Sequence, residues 1–122
     1  MIRVLIVDDN PRVQDAMRMF LSAHQEFEVV GEAGNADTAV RLASETAPGV
    51  ALVDIMLPTE TDGLSLLRVL AEQHGIPVVA MSLDSGCASN ALQAGACAFL
   101  PKDGRSERLI DALLAAPAKG GQ

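Results

Sequence analysis

The sequence predicts an α/β domain, a (βα)5 doubly wound parallel sheet. Short apolar runs alternate five times with stretches whose apolar residues recur at helical spacing. The runs at 2–7 and 50–53 are nearly continuous rather than alternating, the pattern of strands buried on both faces. Turn and breaker residues such as Asn10-Pro11, Pro48-Gly49, Gly75 and Gly95 punctuate the units.

Taken in order, Ile2 to Val7 reads as the first strand and stops in Asp8-Asp9-Asn10-Pro11. Asn10 followed by Pro11 is a helix start, a capping side chain and then proline in the first turn. Val13, Met17, Phe20 and Leu21 carry the apolar stripe of that helix. Phe27 to Ala33 is a second strand, and Glu28 and Glu32 within it favour an edge position. Ala36, Ala39, Val40 and Ala43 mark a helix closed by Pro48-Gly49. Val50 to Val53 is the third strand and ends in Asp54, with a loop from Pro58 to Gly63 after it. Leu67, Leu70 and Ala71 continue as a helix to about Gly75, and Ile76 to Met81 forms a fourth strand ending in Ser82. A small-residue helix around Ala88, Ala91 and Leu92 stops at Gly95, and Cys97 to Leu100 is the fifth strand, ending in Pro101-Lys102-Asp103. Leu109, Ile110, Leu113 and Leu114 define the last helix, which Pro117 is expected to end. Residues 1–117 then form the domain, and 118–122 a tail or the start of a linker.

Composition narrows the function. The chain has 122 residues, is 49% hydrophobic with mean hydropathy +0.25, and suits one domain with one core. Three Phe and no Trp or Tyr leave no aromatic platform for stacking bases or sugars. Sixteen acidic against nine basic residues give a net charge of −7, the wrong sign for unaided nucleic-acid binding. Cys87 and Cys97 have no metal-ligand spacing and are expected as reduced thiols. No run is long enough for a membrane span, so a cytoplasmic protein is expected.

Right-handed crossovers bring the C-terminal ends of all the strands to one edge of the sheet. Asp8, Asp9, Asp54, Ser82 and Lys102 are therefore expected to meet. Carboxylates that crowd together repel unless a cation neutralises them. An oxygen-only set without His or Cys selects a hard ion, Mg2+ or Mn2+. Lys102 adds a positive charge and Ser82 a hydroxyl, a combination suited to a phosphoryl group with Asp54 as its nucleophile.

Five motifs carry a resemblance over essentially the whole chain: Val7-Asp8-Asp9, Asp54-Ile-Met-Leu-Pro58, Asp62-Gly63, Met81-Ser82 and Phe99-Leu-Pro-Lys102. In this order they resemble the receiver domain of bacterial two-component response regulators. The run Gly95-Ala-Cys-Ala-Phe-Leu-Pro-Lys-Asp103 is most similar to receivers whose output is a C-terminal LuxR-type helix-turn-helix. The resemblance implies a flavodoxin-like fold with strand order 2-1-3-4-5. It also implies Mg2+-dependent transfer of a phosphoryl group from a histidine kinase to Asp54, in a switch rather than an enzyme. Asp9 and Asp54 would bind the metal directly, Asp8 through water, and Met56 by its backbone carbonyl. Ser82 would swing toward the phosphoryl group, and Phe99 would turn into the space it vacates. A second copy of the chain is an expected partner, and DNA only through a C-terminal domain that the sequence does not include.

Two spacings depart from the family pattern. Nine positions separate Asp54 from Gly63, one more than usual, which places an insertion in Thr59-Glu60-Thr61. Glu60 there is expected to lean over Asp54. Twenty positions separate Ser82 from Lys102, about two short, with the loss between Asp84 and Asn90. With Gly86, two Ser and several Ala, that region is expected to be mobile or partly unwound.

Three other readings compete. A degenerate receiver would serve as an interaction module without phosphorylation. A phosphatase resembling the haloacid dehalogenase class needs Asp-x-Asp after the first strand, where this chain has Asp8-Asp9. A flavodoxin-like cofactor binder needs a Ser/Thr/Gly-rich phosphate loop in the same place, where the two carboxylates would repel phosphate.

Overall fold

The structure is a computed structural model and describes residues 1–102 and 106–120. Five parallel strands, β1 (Ile2–Val7), β2 (Phe27–Ala33), β3 (Val50–Asp54), β4 (Val78–Ser82) and β5 (Ala98–Pro101), lie in the order β2-β1-β3-β4-β5. The helices are α1 (Pro11–Ser22), α2 (Ala36–Thr46), α3 (Glu60–Arg68), α4 (Ala88–Gln93) and α5 (Ser106–Gly120). A π-turn, Val69–Gln73, prolongs α3, and a 3-10 turn, Ser85–Cys87, precedes α4.

Period-two alternation in the strands divides the core into two layers. Leu5, Val7, Ala51, Val53, Val78 and Ala80 face α2, α3 and α4. Val4, Ile6, Val50, Leu52, Val79 and Met81 face the other way, against Leu21 of α1 and Leu109, Leu113 and Ala116 of α5. Both faces of the central strands are thus covered, which is why their sequences read as unbroken apolar runs. The glutamate-bearing β2 is at an edge, as its composition suggested. Cys87 and Cys97 form no disulfide; their thiols lie within hydrogen-bonding distance of the Asp84 and Val78 carbonyls. No helix of the described residues is long and apolar enough to cross a membrane.

Several boundaries differ from the sequence reading. β4 begins at Val78 because Pro77 has no N–H for the ladder, and β5 lies one residue later than expected, at Ala98–Pro101. The loop after Pro58 is nearly absent. Thr59 caps α3, accepting from the Asp62 N–H at 3.2 Å and donating its hydroxyl to the Asp62 carboxylate at 2.8 Å, so the helix starts at Glu60. Pro117 does not end α5, which continues to Gly120. Proline lacks its own donor and crowds the preceding turn, but residues after it keep theirs and can go on winding. Of the expected tail, residues 121 and 122 lie outside the described residues.

After Ser82, a bend at Leu83 leads through Asp84 into helical structure from Ser85 to Gln93, and that structure is short. A 3-10 turn capped by Asp84, which accepts from the Gly86 N–H at 2.8 Å, leads into a helix of only six residues. It buries Cys87 and Ala91, whereas α3 and its π-turn bury Leu66, Leu67 and Leu70.

Candidate functional site

The strand ends bring the expected side chains together. Asp8 follows β1, Asp54 is the last residue of β3, Ser82 the last of β4, and Lys102 follows β5. Backbone bonds hold these ends in register beyond the strands themselves. The Asp8 N–H donates to the Ala33 carbonyl at 3.0 Å, that of Ile55 to Met81 at 2.9 Å, and that of Lys102 to Ser82 at 3.0 Å. Asp8, Asp54 and Ser82 are buried, at 2, 6 and 0% exposure, and Asp9 is exposed.

Asp8, Asp9 and Asp54 each offer a carboxylate oxygen within 4.8 Å of the other two. Lys102 Nζ donates to Asp8 Oδ2 and to Asp54 Oδ2, both at 2.8 Å. The second oxygens are also engaged: Asp8 Oδ1 accepts from the Asn10 N–H at 2.9 Å, and Asp54 Oδ1 from the Met56 N–H at 3.1 Å. Gln14, on α1, donates its side-chain amide to the Asp8 carbonyl at 2.6 Å. The sequence reading did not single out Gln14, because a half-buried polar residue on a helix carries no signal until the helix is placed.

Burial pushes the Asp54 carboxyl above its usual value, and the negative charge of Asp8 adds to that effect. The hydrogen bonds from Lys102 and from the Met56 N–H oppose it without cancelling it. Burial also opposes the charged form of Lys102, but its bonds to Asp54 and Asp8 outweigh that, and its pKa lies above the ordinary lysine value. One ammonium is shared by two buried carboxylates, and both bonds favour its charged form.

The donor set fits a hard cation. Three carboxylates converge without a His or Cys among them, and one ammonium leaves the cluster with an excess of negative charge.

Ser82 Oγ accepts from the Asp84 N–H at 3.1 Å, so in this conformation its hydroxyl supports the turn into α4. Phe99 lies opposite Ala80 in β5, partly exposed and packed against the core layer shared with α3 and α4. Glu60 does not belong to the cluster. Its carboxylate accepts from Asn90 Nδ2 of α4 at 2.9 Å, so the inserted segment and the shortened one meet each other.

The family model for the response regulator receiver domain matches residues 4–114. The chain belongs to this family. Among curated relatives, the receiver is 32% identical over 116 residues to the transcriptional regulatory protein YdfI of Bacillus subtilis, covering 93% of this chain and 54% of that one. It is 33% identical over 119 residues to LiaR of the same organism, covering 95% and 56%. The chain thus spans about half the length of these relatives. Among solved structures, a LuxR-family two-component response regulator from Aurantimonas superposes with a TM-score of 0.88 at 28% identity, over 98% of this chain and 86% of that one. The expected strand order and the LuxR-type affinity of the receiver both hold.

Proposed function

We propose that this receiver accepts a phosphoryl group on Asp54 from the phosphohistidine of a histidine kinase, with Mg2+ or Mn2+ held by Asp8, Asp9 and Asp54. The observation that carries this reading is the shared ammonium, Lys102 Nζ at 2.8 Å from both Asp8 and Asp54. It holds positive charge where a group transferred to Asp54 would bring negative charge. In the transfer, a carboxylate oxygen of Asp54 attacks phosphorus while the bond to the imidazole nitrogen breaks and its electron pair returns to that nitrogen. The product is an acyl phosphate on Asp54.

Asp9 and Asp54 would ligate the cation directly, Asp8 through water, and Met56 by its carbonyl. When bound, the cation supplies the charge that lets three carboxylates coexist and that offsets the oxygens of the incoming phosphoryl group. Lys102, bonded to both Asp8 and Asp54, would share that role. Ser82 gives up the Asp84 N–H to donate its hydroxyl to the phosphoryl group, and Phe99 turns inward as Ser82 moves. The domain acts as a switch in the cytoplasm, not as an enzyme with a separate substrate. A second copy of the chain is the proposed dimer partner, and DNA is reached only through a C-terminal domain of LuxR type.

The test is incubation with Mg2+ and a small phosphodonor or beryllofluoride, read by intact mass and by peptide mapping. A labile modification at Asp54 that Asp54→Ala abolishes is the expected result. An unmodified wild type, or full modification of Asp54→Ala, overturns the reading in favour of a phosphorylation-independent interaction module.

A further inference from the structure

Asp9 is the exposed member of the carboxylate cluster, and no side chain among the described residues holds its oxygens. Its direction therefore follows from the backbone that carries it. Asp8, by contrast, is held at every polar atom. Its N–H donates to Ala33, Oδ1 accepts from Asn10, Oδ2 accepts from Lys102, and its carbonyl accepts from Gln14 Nε2 at 2.6 Å. That carbonyl belongs to the peptide joining Asp8 to Asp9, so the Gln14 bond sets the plane of this peptide and the starting direction of Asp9.

The chemistry of the acceptor makes the bond specific. A carbonyl only accepts, so a glutamine amide fits here and a carboxylate would set acceptor against acceptor. Gly34, just beyond β2, lies beside the amide, where a Cβ would make ordinary van der Waals contact with Gln14 Nε2 at 3.4 Å, so the bond does not depend on a glycine there.

We propose that Gln14 is a positioning residue of the cation site, acting through the Asp8–Asp9 peptide to direct the Asp9 carboxylate. This rests on the cation reading above. Residues that orient metal ligands without touching the metal are worth roughly 10–100-fold in affinity when removed. Gln14→Met keeps the length of the side chain and removes the donor. Gln14→Glu keeps the shape and adds a negative charge, so the field alone would tighten cation binding, whereas loss of the positioning bond weakens it.

The experiment is calorimetric titration of the full chain with Mg2+, alongside thermal unfolding of the metal-free protein. Expected is saturable binding by the wild type, with Kd raised about 10-fold in both variants and a metal-free Tm lowered only modestly, as the loss of one hydrogen bond predicts. A Gln14→Met Kd within about threefold of wild type, or tighter binding by Gln14→Glu, overturns the positioning role while leaving the cation site standing. Absence of Mg2+ binding by the wild type overturns the cation reading and this inference together.

Discussion

Helices α3 and α4 cover the same face of the sheet, and each starts a few residues after a side chain of the site, α3 after Asp54 and α4 after Ser82. They are held very differently. α3 and its π-turn bury Leu66, Leu67 and Leu70, and the backbone of α3 rests against Ile55 through Gly63. The 3-10 turn and α4 bury only Cys87 and Ala91, over a helix of six residues. Each buried methylene contributes about 0.8 kcal/mol, so three leucines anchor α3 far more strongly than a cysteine and an alanine anchor α4. Asp54, the proposed nucleophile, thus precedes the firm helix, and Ser82, the proposed switching hydroxyl, precedes the lightly held one.

The strongest test of this contrast pairs two glycines. A Cβ at Gly63 would fall inside the Ile55 carbonyl, so Gly63→Ala is expected to destabilise the metal-free protein by at least about 3 kcal/mol in denaturant unfolding. Gly86→Ala places a Cβ 3.0 Å from Asp84 Oδ1, the movable end of a side chain, and should cost about 0.5 kcal/mol. Similar costs for the two would break the comparison. Next, Leu67→Ala is expected to cost about 3 kcal/mol. Ala91→Gly should cost about 1 kcal/mol, mostly helix propensity, as read by Tm and denaturant midpoint.

A third pair separates the two helix starts by pH. The Asp54 pKa is raised in the folded, metal-free protein, so its favourable contribution is complete below the ordinary carboxyl value of 3.8 and is lost as pH rises through the elevated folded value. Asp54→Asn should therefore match wild type in Tm at low pH and exceed it increasingly toward neutrality. Ser82→Ala should lower Tm with no such slope, by about 1 kcal/mol in stability, because it strands the Asp84 N–H. A flat Asp54→Asn difference across that window would remove the ionisation argument.

The smallest effect concerns the Glu60–Asn90 bridge. It is exposed, so Asn90→Ala should change global stability by less than about 0.5 kcal/mol. Amide hydrogen exchange should nonetheless quicken across Ala88–Gln93 and not across α3. Uniform exchange in both helices, before and after the substitution, would show that α4 is not the weaker unit.

Much of the site was legible because its residues end strands. A continuous apolar run followed by a carboxylate or lysine fixes both the depth and the direction of that side chain once the strands are parallel, which is how Asp8, Asp54, Ser82 and Lys102 could be placed together. Contacts between elements were less accessible. Gln14 and Asn90 are ordinary helix-surface amides in sequence, and their partners are set by how each helix docks. Thr59 shows another limit: as part of Thr59-Glu-Thr61 it looked like a loop insertion, while in space it is a cap. Pro117 marked a stop by rule, yet a proline restricts mainly the turn before it.

The contact between Gly63 and Ile55 has a mechanical consequence. Elsewhere on the α2–α4 face, buried side chains such as Leu66, Leu67 and Leu70 pack between helix and sheet. At Gly63 the helix backbone meets the backbone of Ile55, the residue after Asp54, with no rotamer in between. The joint has no play. Any shift of the Ile55 carbonyl must be taken up by α3 as a rigid push or returned to β3 as strain.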